Sequence, residues 1–157
     1  MTPDAVKEFM RKQIDDARTD YTKDLDAMTH EQLAATPGGS ARSAYDFTYE
    51  TAFVNRRIAK RLRGETPEPH DSEAWIMAPE EFKAKDVAKQ ELDASLQEVL
   101  EAWDRLDAKD LQTAIKLPSS ETNALNLAHM AAHHTAYHDA QLNYLQSIHG
   151  DDKVHWD

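Results

Sequence analysis

Apolar side chains recur every three or four positions through four long stretches of this chain, the spacing that keeps them on one face of an α-helix. In the first stretch Val6, Met10, Ile14, Ala17, Tyr21, Leu25 and Met28 form one stripe. Thr2-Pro3-Asp4 precedes it with an N-cap, a proline suited to the first helical position and an acid for the first turn. Thr29-His30-Glu31-Gln32 has capping-box spacing and predicts a short helical turn, which Pro37-Gly38-Gly39 breaks. A second helix is expected from near Ser43, with Asp46 three residues on, and buries Phe47, Thr51, Val54, Ile58 and Leu62 before Gly64 stops it. The third runs from about Asp86 to Leu106, where Leu92, Leu96, Val99, Trp103 and Leu106 alternate steps of four and three as in a bundle seam. The fourth begins near Thr122, beyond Pro118, and continues to about Ile148, with Gly150 as its stop.

Between the second and third helices, Glu65 to about Lys85 carries Pro67, Pro69 and Pro79 around an isolated Trp75. That composition predicts a long crossover with a helical turn after Pro79. The expectation is an all-α fold, with a crossover long enough to pass over the end of a bundle. A chain of 157 residues with even composition fits one domain over 1–157 and buries a core without disulfides or a structural metal. No internal repeat or low-complexity run interrupts it, and the charged tail from Asp151 to Asp157, with Trp156, is expected to pack loosely across one end.

Charge and composition remove several function classes. Twenty-nine acidic residues against 18 basic ones give a net charge of −11, which repels phosphate backbones and anionic membrane surfaces, so no nucleic-acid or membrane partner is expected. The basic run Arg56 to Arg63 goes against that sign, and at the end of a helix it reads first as a complement to the helix dipole. Without cysteine, thiolate ligands and catalytic thiols are excluded, and any metal must be held by nitrogen and oxygen. No stretch approaches the roughly 20 apolar residues of a membrane span, and the N-terminus lacks a signal-peptide run, so a cytoplasmic location is expected.

The candidate chemistry lies in the fourth helix, which holds two interleaved histidine pairs at i and i+4, His129 with His133 and His134 with His138. Such a pair projects two imidazoles from one face, where they can converge on one ion. The stripe of Leu127, Ala131, His134, His138, Gln141 or Leu142, Leu145 and Ile148 is an apolar face interrupted by two imidazoles at its centre. The stripe of Asn126, His129, His133, Ala136, Ala140 and Ser147 is more mixed. His134 and His138 are therefore assigned to the interior and His129 and His133 to its boundary. A buried imidazole needs a hydrogen bond or a cation, and Glu50, flanking the apolar stripe of the second helix, is the natural third ligand. Two imidazoles and a carboxylate make an open site that could take zinc, nickel, iron or manganese. Glu50 could instead pair with Arg42 or Arg57, or hydrogen-bond a histidine directly. Gln141 is a candidate to orient a water or ligand and Tyr137 to supply a hydroxyl, although Tyr137 also fits a bundle interface. Asp139 is expected to face solvent, and Trp75 and Trp156 are candidates to cap the open end of the site.

The run His134-Thr135-Ala136-Tyr137-His138-Asp139-Ala140-Gln141-Leu142 resembles the last-helix motif of the DinB-like superfamily, a His-x-x-x-His pair followed by a small residue and Gln. Ala140 stands where glycine is usual in that motif. Ser43 to Glu50, Asn55-Arg56 and Leu62-Arg63-Gly64 are similar to the family's second helix. The resemblance implies a four-helix bundle with a long crossover between helices two and three, and a divalent metal held by three histidines. The first of those ligand positions falls on Glu50, a departure that changes the charge of the site. The family includes transferases that use low-molecular-weight thiols such as bacillithiol, mycothiol-dependent isomerases and members without known activity. The expectation is a metal-dependent enzyme of thiol S-transferase or hydrolase type acting on a small electrophile. The alternative is a non-catalytic binding or stress-response bundle. A homodimer is implied as well.

Overall fold

A computed structural model describes residues 1–71 and 74–156. Four long helices dominate it: α1 (Pro3–Ala27), α3 (Ala44–Leu62), α4 (Lys85–Asp104) and α5 (Ala124–Ile148), with the one-turn α2 (His30–Ala34) between the first two. Each start follows its local signal. Thr2 caps α1, with Pro3 in the first turn, and complete capping boxes form at Thr29/Gln32 and Ser43/Asp46. Among the described residues, the crossover contains a single 3₁₀ turn after Pro79, Glu80–Phe82. None of the described helices is long and apolar enough to cross a membrane.

The long helices pack as a closed ring, α1 on α5, α5 on α3, α3 on α4 and α4 on α1. Their stripes meet in a core that fully buries Ile14, Tyr21, Leu25, Tyr45, Ile58, Leu92, Leu96, Trp103 and Leu142. Two aromatic side chains carried into this core, Trp103 and Tyr21, have their polar atoms answered there. Trp103 Nε1 donates to the Lys7 carbonyl at 3.0 Å. Thr48 spends its hydroxyl proton on the Ala44 carbonyl, so in the 2.8 Å contact between Tyr21 and Thr48 the tyrosine is the donor.

Four features depart from the sequence expectation. A two-stranded antiparallel hairpin, β1 (Ala114–Lys116) and β2 (Glu121–Asn123), turns around Pro118 in register Ile115 to Thr122. Its strands are too short to show alternation in sequence. Asn123 closes β2 and also caps α5, accepting from Asn126 N at 2.8 Å, so that helix starts at Ala124 rather than near Thr122. Asp139 is buried, not solvent-facing. It lies on the flank of α5 that meets α1, beside the fully buried Asp24. Asp24 accepts from Asn143 Nδ2 at 2.7 Å, from Gln146 Nε2 at 3.2 Å and from Trp156 Nε1 at 2.7 Å. The tail is therefore tied to α1 through a buried carboxylate instead of lying loosely.

Candidate metal centre

The position of Glu50 follows from the start of α3. Asp46 Oδ2 takes the Ser43 N–H at 3.1 Å and the Ser43 hydroxyl at 2.7 Å, while its Oδ1 takes the Ala78 N–H at 3.0 Å. One carboxylate thus fixes both the first turn of α3 and the end of the crossover. Glu50, one turn further on, faces α5, and the crossover brings Trp75 to the opening and the Ile76 carbonyl to Arg42. Arg42, just before the helix, donates to Ile76 O at 3.2 Å and forms an ion pair with Glu50 Oε2. Its guanidinium lies 4.3 Å from the Trp75 ring centre.

From α5, His138 is buried and His134 half-buried, their rings 4.6 Å apart and nearly perpendicular. His138 Nε2 points at Glu50 Oε2 across 3.7 Å, too far for a direct hydrogen bond. Phe47 stacks on the other side of His138, with centroids 5.6 Å apart and planes 6° from parallel. Gln141 Oε1 lies 2.8 Å from His138 Nδ1. An amide oxygen only accepts, so Nδ1 carries the proton and Nε2 presents its lone pair toward Glu50. The Gln141 amide donates in turn to Tyr137 Oη at 3.5 Å.

Burial holds both imidazoles below the usual histidine range, and in His138 the neighbouring His134 adds to the effect. At neutral pH both rings are uncharged, the state a metal ligand needs. His134 Nδ1 is buried without a hydrogen-bond partner, an orphan that calls for an explanation. One ligand atom each from Glu50, His134 and His138 falls within 4.8 Å of the others. Donors on one zinc ion at about 2.1 Å stand roughly 3.4 Å apart, so small side-chain rotations would close the set. A carboxylate and two neutral imidazoles, one of them with an orphaned nitrogen, fit a first-row divalent ion. The site opens into a cavity of about 460 Å³ whose walls include Phe47, Trp75, Tyr137, Gln141 and Tyr144.

The structure brings together Glu50, His134, His138, Gln141 and Tyr137, all singled out from sequence. Tyr137 is 55% exposed at the rim, so it is not a packed interface residue. Trp75 borders the opening as expected, whereas Trp156 lies on Asp24, away from the cavity. His129 and His133 are exposed and take no part. In sequence Phe47 reads only as core, because a stacking partner for a histidine has no signature in a helical stripe. Arg42 was one of two possible partners for Glu50, and the choice over Arg57 is made by the crossover, since Arg57 bonds the Glu68 carbonyl instead.

A four-helix bundle with a long crossover, enclosing a carboxylate and two imidazoles contributed by facing helices, defines a class of helical proteins with a side-chain group that could hold a metal. The sequence profile of the DinB superfamily matches residues 13–142, and the chain belongs to that superfamily. No curated protein matches it. Among solved structures it is similar to a conserved protein of Enterococcus faecalis, at 18% identity and a TM-score of 0.75, over 96% of this chain and 99% of that one. It is also similar to a DinB-like protein of Bacillus cereus, at 14% identity and a TM-score of 0.70, over 91% and 92% of the two chains. At these identities the likeness concerns the fold.

Proposed function

We propose that this chain is a divalent-metal-dependent enzyme of thiol S-transferase or hydrolase type, acting on a small electrophilic substrate at the Glu50, His134 and His138 centre. The observation that carries the reading is that one ligand atom from each of these three side chains lies within 4.8 Å of the others, while His134 Nδ1 is buried with no hydrogen-bond partner among the described residues. With zinc, nickel, iron or manganese bound, the centre would lower the pKa of a coordinated thiol or water. The chain's own residues prepare the place. Gln141 sets the His138 tautomer, Phe47 holds that ring flat, and Glu50 contributes negative charge at the one side of the cavity that Arg42 also reaches. The Tyr137 hydroxyl, at the rim, is positioned to orient a polar co-substrate such as a low-molecular-weight thiol. The cavity suits a small ligand.

A second reading, a bundle without metal or catalysis that serves as a binding or stress-response module, is favoured by one contact. Arg42 already engages the Glu50 oxygen that faces His138. Metal analysis of untagged protein separates the two. Stoichiometric ion that is lost from this centre in His134→Ala or His138→Ala supports the enzyme. Absence of binding at micromolar zinc, nickel, iron and manganese, with the variants folded, sinks it. Self-association is also proposed, through the outer face of α5, where Met130, Tyr137, Tyr144 and Ile148 are exposed. Asp139, the sole charged residue of that helix, is buried, so two acidic chains could meet there without opposing like charges. Light scattering of wild type against Tyr144→Glu tests it, with a monomeric wild type counting against it.

A further inference from the structure

The two histidine pairs of α5 face different flanks of the helix. His134 and His138 look toward α3, while His129 and His133 border a groove of about 510 Å³ between α5 and α1. Both of these outer imidazoles are exposed, with ring centres 5.7 Å apart and planes 34° from parallel. Two imidazoles bound to one ion at about 2.1 Å have ring centres roughly 4.5–5.5 Å apart. A small χ1 or χ2 adjustment therefore brings this pair onto a shared ion. The opposite wall of the groove carries Asp16 and Asp20, themselves one helical turn apart. Asp16 is held by Lys12 through both oxygens, at 2.7 and 2.6 Å. Asp20 makes no salt bridge or side-chain hydrogen bond among the described residues, and is half-buried against the groove.

We propose that His129 and His133 form a second divalent-metal site, separate from the interior centre, in which Asp20 swings across the groove as third ligand. The donors are two imidazoles and a carboxylate, which suits zinc, nickel and copper and disfavours magnesium and calcium. An ion there ties the middle of α5 to α1, so occupancy raises the stability of the native state by mass action. No other pair among the eight histidines combines i, i+4 spacing with exposure on a single helix, because His134 and His138 are committed to the interior.

The test uses EDTA-stripped, untagged full-length protein titrated with zinc by calorimetry. The double variant His134→Ala/His138→Ala is the reference, so that the outer site is read whether or not the interior one binds. One zinc equivalent is expected in that background, and adding His129→Ala/His133→Ala is expected to abolish it. These side chains are exposed, so the fold should be unaffected, as circular dichroism would show. Asp20→Asn is expected to weaken this zinc about tenfold, and magnesium is expected not to compete. Zinc binding unchanged after removal of His129 and His133 overturns the proposal, as does the absence of any zinc equivalent in the reference variant. An unchanged affinity in Asp20→Asn overturns the third ligand.

Discussion

Asp139→Asn is expected to stabilise this protein at neutral pH, and the size of the effect follows from where the carboxyl sits. Burial, with Asp24 alongside, raises the Asp139 pKa from 3.8 to about 8. A raised folded pKa contributes stability that is fully present below pH 3.8 and is lost as pH rises through 8. At pH 7 the unfolded chain releases this proton and the folded chain keeps it. The cost grows by about 1.4 kcal/mol per pH unit above 3.8, so at pH 7 it reaches roughly 4 kcal/mol as an upper bound. Asparagine has the same shape, does not titrate, and offers an amide N–H to Asp24 in place of the carboxyl proton. A gain of about 1–4 kcal/mol at pH 7 is expected, shrinking toward zero near pH 4, or several degrees of melting temperature for a chain of this length. Urea unfolding of both proteins in EDTA at pH 4.5, 5.5, 6.5 and 7.5 measures it, with His138 and His134 titrating alike in the two. A difference that is flat with pH, or a variant less stable than wild type at pH 7.5, would refute the argument.

Three further outcomes concern the interior centre. Glu50→His is expected to retain or tighten zinc or nickel binding, while the apoprotein loses about 1–3 kcal/mol because Arg42 keeps only the Ile76 carbonyl; lost binding in a folded variant rules out the ligand role. Gln141→Leu removes the 2.8 Å contact that fixes the His138 tautomer and is expected to weaken metal 10- to 100-fold without unfolding the chain, as competition with a chelating dye would show. Arg42→Met removes a cation from the Glu50 oxygen nearest His138; at about 6 Å and an effective dielectric of 20, its repulsion of a divalent ion is roughly 5 kcal/mol before solvent screening. Binding at least tenfold tighter is therefore expected, and weaker binding by a folded variant would mean that Arg42 positions Glu50 for another purpose.

Helix starts were legible in the sequence because each is written in a few adjacent residues, as at Ser43 and Asp46, whose capping box forms as read. The interior centre was legible for a related reason. Two imidazoles and a carboxylate stand out against apolar stripes, and helical period alone places them on facing surfaces. The hairpin at β1 and β2 was not, since three-residue strands carry no period, and Asn123 serves both as the end of a strand and as a helix cap. The path of the tail depends on Trp156 finding Asp24 across 132 positions, a pairing without local signal.

Asp139 shows where the stripe argument fails and why. Glu50 stands out because the stripe it flanks on α3 is apolar, but the flank of α5 that meets α1 is polar in sequence, carrying Asp139, Asn143 and Gln146. A polar flank reads as solvent-facing unless its partner is known. Here the partner is Asp24, inside the apolar stripe of α1, between Tyr21 and Leu25. Glu50 on α3, half-buried, and Asp139 on α5, buried, are then answered in different ways by the same fold. Glu50 keeps an exit to the cavity and is met by a guanidinium and two neutral imidazoles, groups that can exchange with an ion or a substrate. Asp139 has no such exit and is met by another acid, so its charge is suppressed by a proton. Of these two carboxyl groups only the one on α3 keeps access to the cavity, so the candidate interior centre lies between α3 and α5, while Asp24, between α1 and α5, holds the tail.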